Sequence, residues 1–325
     1  MSCEKVGITG TLPVEAIFAA GLSPVDLNNA FIASSDPASM VDEAERRGMP
    51  QNACAWIKGI YIAARRLNLR RVVGVTGGDC TNTRALLEIW QSEGIETLEF
   101  SFPYPPDTLV LEREIETFCR KLGTTVDAAE QVRESLLGAR RLAAQLDRLT
   151  WQEGKVTGRE NHLFLVGMSD FEGDWRCYEA RLRDFVASAA CRPGRTGPRL
   201  GIMGVPPILA DLHDFIESRR AMTVFNEFQR QFAMPYPAAS LAEQYTLYTY
   251  PYGTAGRLAD VVAEVAKRRI NGIIHYVQSF CWRQIADRLI REALPVPVLT
   301  LQADRPGAVS GQLATRIEAF LEMIG

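Results

Sequence analysis

The chain has no excess of charge of either sign. Its 36 Lys plus Arg and 39 Asp plus Glu leave a net charge of −3, which gives no support to a nucleic-acid binder working through a basic surface. It has no apolar run of roughly 18 residues, the length a membrane-spanning helix needs, and its start, MSCEKVGITG, holds no apolar signal core. There is no CxxC pair, so neither a short-spaced zinc framework nor a compact secreted disulfide scaffold is indicated. GxGxxG, the P-loop, GxSxG and HExxH are also absent. These absences make a cytoplasmic protein the expectation, with no membrane and no nucleic-acid partner.

What is present suits a two-domain α/β protein. The 325 residues are 47% apolar and 23% charged, enough to bury two cores. The first hundred residues alternate strand and helix: strands at Lys5–Thr9, Val25–Ile32, Arg71–Thr76 and Ile95–Ser101, with helices at Thr11–Ala20, Pro37–Arg47, Gln51–Asn68 and Thr81–Ser92. A Pro-rich break at residues 103–106 leads into a mostly helical stretch that runs to about Ala190. After the linker Arg192–Pro198 the alternation resumes. Strands are expected at Arg199–Gly204, Met222–Phe228, Asn271–Val277 and Pro297–Leu301. Helices are expected at Pro206–Ser218, Thr254–Arg268, Trp282–Ala293 and Gly311–Ile324, while residues 234–252 resist assignment. The expected architecture is two doubly wound parallel-sheet domains of Rossmann or flavodoxin type, at residues 1–104 and 196–325, joined by a helical connector or insert at 105–195.

Chemistry centres on cysteine, of which there are seven. Cys80 follows the strand RVVGVT across Gly77-Gly78-Asp79 and opens a helix. Cys281 follows GIIHYV across Gln278-Ser279-Phe280 and also opens one. Cys54 lies at the start of the helix beginning near Gln51. Ligand crevices of open α/β sheets lie beyond the carboxyl ends of strands, and a helix N-terminus lowers a thiol's pKa. Each cysteine equally suits a small buried hydrophobe. Three thiolates without a fourth would suit an iron–sulfur cluster with one open iron, or zinc with an added ligand. Cys3, Cys119, Cys177 and Cys191 are expected bystanders. His275 reads as a core or crevice residue, and His162 and His213 show no partner. Asp79 is expected to cap its helix or to touch a substrate proton, and Glu15 is either a helix-start charge or a catalytic group.

Three blocks carry a family resemblance. The start KVGITGTLPVEAIFAAGLSPVDL, the cysteine segments NACAWIKG and VTGGDCTNT, and the ending NGIIHYVQSFC…PVPVLTLQAD…GQLATRIEAFLEMIG resemble, in order, segments of the 2-hydroxyacyl-CoA dehydratase / benzoyl-CoA reductase family. The resemblance implies that Cys54, Cys80 and Cys281 hold one [4Fe–4S] cluster per chain, with one iron lacking a cysteine ligand. It implies a pairing of two subunits, alike or different, and an ATP-dependent iron–sulfur activator that delivers one electron. It further implies ketyl-radical elimination of water from a 2-hydroxyacyl-CoA. Around such a cluster Gly78, Asp79, Gln278, Ser279 and Arg283 become substrate candidates, each also suited to a turn or a solvated helix start. No Lys or Arg cluster for the CoA phosphates is evident, and no general base is singled out. The alternatives are a reductase of the benzoyl-CoA kind, a double-cubane reductase of a small molecule, and an electron-transfer subunit without turnover.

Overall fold

A computed structural model describes residues 3–279 and 281–325. Its first sheet is built from β1 (Lys5–Ile8), β2 (Ser23–Asp26), β3 (Arg71–Gly77) and β4 (Glu96–Ser101), interleaved with α1 (Val14–Ala19), α2 (Leu27–Ile32), α3 (Pro37–Arg46), α4 (Ala55–Arg66) and α5 (Asn82–Ser92). Then come four helices, α6 (Thr108–Leu122), α7 (Val126–Trp151), α8 (Gly158–Val166) and α9 (Trp175–Ala190). The second sheet follows. It comprises β5 (Arg199–Gly204), β6 (Met222–Asn226), β7 (Gly272–Val277) and β8 (Val298–Gln302), with α10 (Leu212–Ser218), α11 (Glu227–Phe232), α12 (Leu241–Leu247), α13 (Thr254–Arg268), α14 (Asp287–Ala293) and α15 (Gly311–Ile324).

Both sheets are wholly parallel and share one order, β2-β1-β3-β4 and β6-β5-β7-β8. The α/β expectation of two parallel sheets therefore holds. Each strand order reverses beside its first strand, between β1 and β3 and between β5 and β7. Such a switch point leaves a crevice at the carboxyl ends. Helices cover both faces, so β3 and β7 are continuous buried β-branched runs.

Several boundaries differ from the sequence reading. Val25–Ile32 is not one strand. The Asp26 carboxylate accepts from the Asn28 amide at 2.9 Å and caps α2, whose Leu27 and Phe31 are buried one turn apart. Cys54 is the N-cap residue of α4, so that helix begins at Ala55 rather than Gln51. The helix expected from Pro206 begins only at Leu212, after the Pro206-Pro207 pair. Strand β6 gives way to α11 at Glu227, whose buried carboxylate pairs with Arg257 and accepts from the Gly204 amide. Trp282–Ala286 is a 3-10 turn that precedes α14. The unassigned 234–252 region contains α12, capped by Ser240.

The helical stretch is packed, not free. Leu111, Ile115, Phe118, Leu136, Leu146 and Leu182 share one core with Val6, Ile8, Val73 and Val75 of the first sheet. A buried ion pair locks this arrangement. Glu15, with no exposed surface, meets Arg140 of α7 at 2.5 Å. The same carboxylate accepts from Gln244 Nε2 and Tyr245 OH of α12, each at 2.9 Å. Glu15 is thus a structural anchor joining all three parts of the chain.

Breaking a buried pair from one side leaves an uncompensated charge. Arg140 already lacks partners on Nε and Nη1. Glu15→Gln is therefore expected to destabilise the protein by about 3–5 kcal/mol, read from urea unfolding. An unchanged midpoint would show that the pair is not an anchor.

Candidate functional site

Cys54, Cys80 and Cys281 line one cleft, although 227 residues of sequence separate the outer two (281 − 54). The cleft lies at the carboxyl ends of both sheets. Its empty space, open mouth included, is about 1270 Å3. The loop after β1 (Thr9-Gly10-Thr11), the start of α2, the first turns of α4 and α5, and the Val205-Pro206-Pro207 turn after β5 form its walls. Cys80 follows β3 and Cys281 follows β7, the corresponding strands of the two sheets. Strand β3 carries a register irregularity between Val75 and Gly77 that ends its regular pairing just before the cysteine turn. Gly78 takes φ +91°, and a side chain there would meet Pro251 at 2.6 Å. A glycine is required for this turn to receive the 249–252 segment of the second half.

The electrostatics correct one expectation. The helix-start amides of Trp56 and Ile57 lower the Cys54 thiol pKa, but burial outweighs them and its net shift is upward. The Cys80 thiol is pushed up to about 12, first by burial and then by the Asp79 carboxylate, with smaller contributions from Cys54 and Cys281. A thiolate at Cys281 thus disfavours ionisation of both Cys54 and Cys80, and one at Cys54 disfavours that of Cys80. A bound cation is what would reverse this. Among the described residues no three His, Cys, Asp or Glu side chains converge tightly enough for a single metal ion. A mononuclear zinc centre is not assembled. An iron–sulfur cluster takes its thiolates on different irons, so its ligands surround the core instead of meeting at a point. Three free thiols around one cleft fit that donor set.

Of the five substrate candidates, Asp79, Gln278 and Arg283 line the cleft. Asp79 does not cap α5, whose N-cap residue is Thr81. Its Oδ1 accepts from Tyr250 OH at 3.0 Å, and burial raises its pKa against the lowering effect of the Arg283 charge. A Cβ at Gly10 would sit 2.6 Å from Asp79 Oδ2, so only glycine leaves room there for the carboxylate. Gln278 donates to Tyr276 OH at 3.1 Å, and its buried Oε1 has no partner among the described residues. Arg283, 4% exposed, donates from Nη2 to Tyr250 O at 3.0 Å, and its Nη1 has no partner among the described residues. Its guanidinium lies 4.5–5.1 Å from the ring centroids of Trp282, Tyr250 and Phe228. Gly78 and Ser279 are not among the lining residues. Ser279 instead bonds Asp304 through its amide and hydroxyl, at 2.6 and 2.9 Å. Phe280, the last residue of that turn, lies outside the described residues.

The cleft also uses residues the sequence reading passed over. Asp26, Asn28, Asn29, His162, Phe232 and Tyr250 all line it. Asp26 and Asp170 form a buried carboxyl pair: the Asp26 amide donates to Asp170 Oδ2 at 2.7 Å, and burial drives both pKa values up. Thr9 to Thr11 directly follow β1, so the carboxyl-end rule pointed to them. Nothing local marked His162 or Tyr250. His275, by contrast, is the buried core histidine expected, bonded through Nδ1 to Asp287 at 2.7 Å.

A family model described as 2-hydroxyglutaryl-CoA dehydratase, D-component, matches residues 10–324. The chain belongs to that family. The match takes in all three lining cysteines, every strand but β1, and the helical stretch between the sheets. The family's name is that of one component of a dehydratase, which agrees with the resemblance seen in the three sequence blocks. No curated protein matches the chain. Among the described residues, no helix is long and apolar enough to cross a membrane.

In iron-free protein, a thiol pushed up to about 12 stays protonated at pH 8, and alkylation needs the thiolate. Cys80 is expected to react with iodoacetamide far more slowly than the exposed Cys191. Asp79→Asn removes a negative charge beside it and is expected to speed Cys80 labelling several-fold at the same pH. Mass spectrometry of the labelled peptides decides, and equal rates for Cys80 and Cys191 would refute the electrostatic account.

Proposed function

We propose that this chain is the cluster-bearing component of a 2-hydroxyacyl-CoA dehydratase, with Cys54, Cys80 and Cys281 holding one [4Fe–4S] cluster. The observation that carries this reading is that three cysteines from distant segments line one cleft at the switch points of two matching sheets. The other four do not line it. Cys119 is buried in the core and Cys3, Cys177 and Cys191 are exposed, which favours one cubane over a double one. The chain would work with a paired subunit and an ATP-dependent activator, in the reducing cytoplasm where thiols stay free.

When bound, the cluster would supply one low-potential electron and a Lewis-acidic iron for the elimination of water through a substrate ketyl. The chain's own residues have separate tasks. Trp56, Ile57, Ile60 and the Pro206-Pro207 turn form an apolar wall that keeps water from a radical. Arg283, clamped among its rings, offers Nη1 to an anionic oxygen. Gln278 Oε1 accepts from a substrate hydroxyl or amide. Asp79, held by Tyr250 and with a pKa raised by burial, keeps a proton more readily than an ordinary carboxylate and can pass it to a bound ligand.

Anaerobically purified protein is expected to hold about four irons per chain and to show a cluster EPR signal that changes with a 2-hydroxyacyl-CoA. Cys54→Ser, Cys80→Ser and Cys281→Ser are each expected to lose the cluster, whereas Cys119→Ser keeps it. Colourless, iron-free protein prepared without oxygen would sink the proposal. Full iron in Cys281→Ser would remove that residue from the ligand set.

A further inference from the structure

The helical stretch does more than connect the sheets, because α8 supplies one wall of the cleft. His162 and Val166, one turn apart, both line it. His162 Nδ1 lies 2.9 Å from Nε2 of Gln229, a residue 1% exposed. With the Gln229 amide in this orientation its nitrogen donates to Nδ1, which places the ring proton of a neutral His162 on Nε2. That N–H has no hydrogen-bond partner among the described residues. The groups around the ring oppose a second proton. The His213 ring lies tilted beside it, centroids 5.1 Å apart, with neither ring nitrogen bonded among the described residues, and the Arg159 charge is on the same helix. Burial moves His162 down to about 4, so it is neutral at working pH.

We propose that His162 donates a hydrogen bond from Nε2–H to the acyl oxygen of a thioester bound in the cleft. The proposal rests on the dehydratase reading given above. That oxygen gains negative charge when the carbonyl takes up an electron. A neutral imidazole steadies the charge without surrendering its proton, because its N–H is a very weak acid. Such a donor is effective only when held in place beforehand, and α8 is held firmly. Thr157 and Glu160 form a capping box at its start, Asn161 bonds Asn226 and Thr150, and Asn29 Nδ2 reaches Val166 O at 3.1 Å.

The test uses full-length, anaerobically prepared protein with its partner component and activator, and 2-hydroxyglutaryl-CoA as probe. His162→Phe is expected to keep wild-type iron content and near wild-type affinity for the probe, while turnover falls about 100- to 1000-fold. His162→Gln, which retains an N–H donor, is expected to recover part of that loss. Gln229→Leu frees the ring tautomer and is expected to lower turnover with iron unchanged. Turnover within about threefold of wild type in an iron-replete His162→Phe overturns the proposal, as does a loss that merely follows loss of iron. A second readout is independent of the cluster. Nitrogen-15 spectra of labelled histidine should show His162 as the Nε2–H tautomer, with no titration between pH 6 and 8. An Nδ1–H tautomer, or a midpoint near the ordinary histidine value, overturns it. Iron-replete wild type that neither binds nor converts the probe refutes the thioester assignment at the level of the dehydratase reading, whatever the tautomer.

Discussion

The Glu15 carboxylate ties the first sheet, the helical stretch and the second half into one body. It is fully buried and accepts from Arg140, Gln244 and Tyr245. A carboxylate so placed is tolerable only while every partner is present, so the three parts are held in one relative position. That position matters because Glu15 sits just after Thr9-Gly10-Thr11, the turn that lines the cleft. The anchor and the site share one short segment.

The cleft follows from topology. A doubly wound parallel sheet leaves a crevice only where its strand order reverses, at the carboxyl ends. The molecule contains two sheets with the same order, and each places a cysteine after its third strand. Packing the Tyr250–Tyr252 segment against Gly78 brings the two crevices together into one. Burial then creates chemical tension. Cys54, Cys80 and Asp79 are less willing to ionise than in water, while the buried Arg283 has one donor unpaired among the described residues. Such a site is incomplete by itself, and a positively charged group among the thiols with an anionic ligand by Arg283 would relieve both imbalances.

Much of the fold was legible because its signals are local. The helices Thr254–Arg268 and Gly311–Ile324 and the strand Arg199–Gly204 stand where periodicity and β-branched runs put them. Val25–Ile32 was misread because its apolar residues suit a strand as well as a helix, and the Asp26 cap decides between them. Met222–Phe228 is a strand only as far as Asn226, since Glu227 opens α11 and makes a buried pair with Arg257 that no local pattern reveals. Within the site, Asp79, Gln278 and Arg283 could be selected because they adjoin cysteines in sequence. His162 and Tyr250 could not, since each reaches the cleft from an element far away along the chain.

The sequence alone determined the alternation of strands and helices, the parallel character of the sheets and the family, because these depend on residue type and order over short spans. It also marked three cysteines, since all three sit at helix starts and Cys80 and Cys281 also follow strands. Only the tertiary structure decided that those cysteines line one cleft, that burial overrides the helix-start effect on the Cys54 and Cys80 thiols, and that Glu15 is an anchor. It alone separated Gln278 and Arg283, which line the cleft, from Ser279, which bonds Asp304 outside it. The physical reason is that burial, unpaired charge and proximity are properties of packed surfaces, and those surfaces form from residues more than a hundred positions apart.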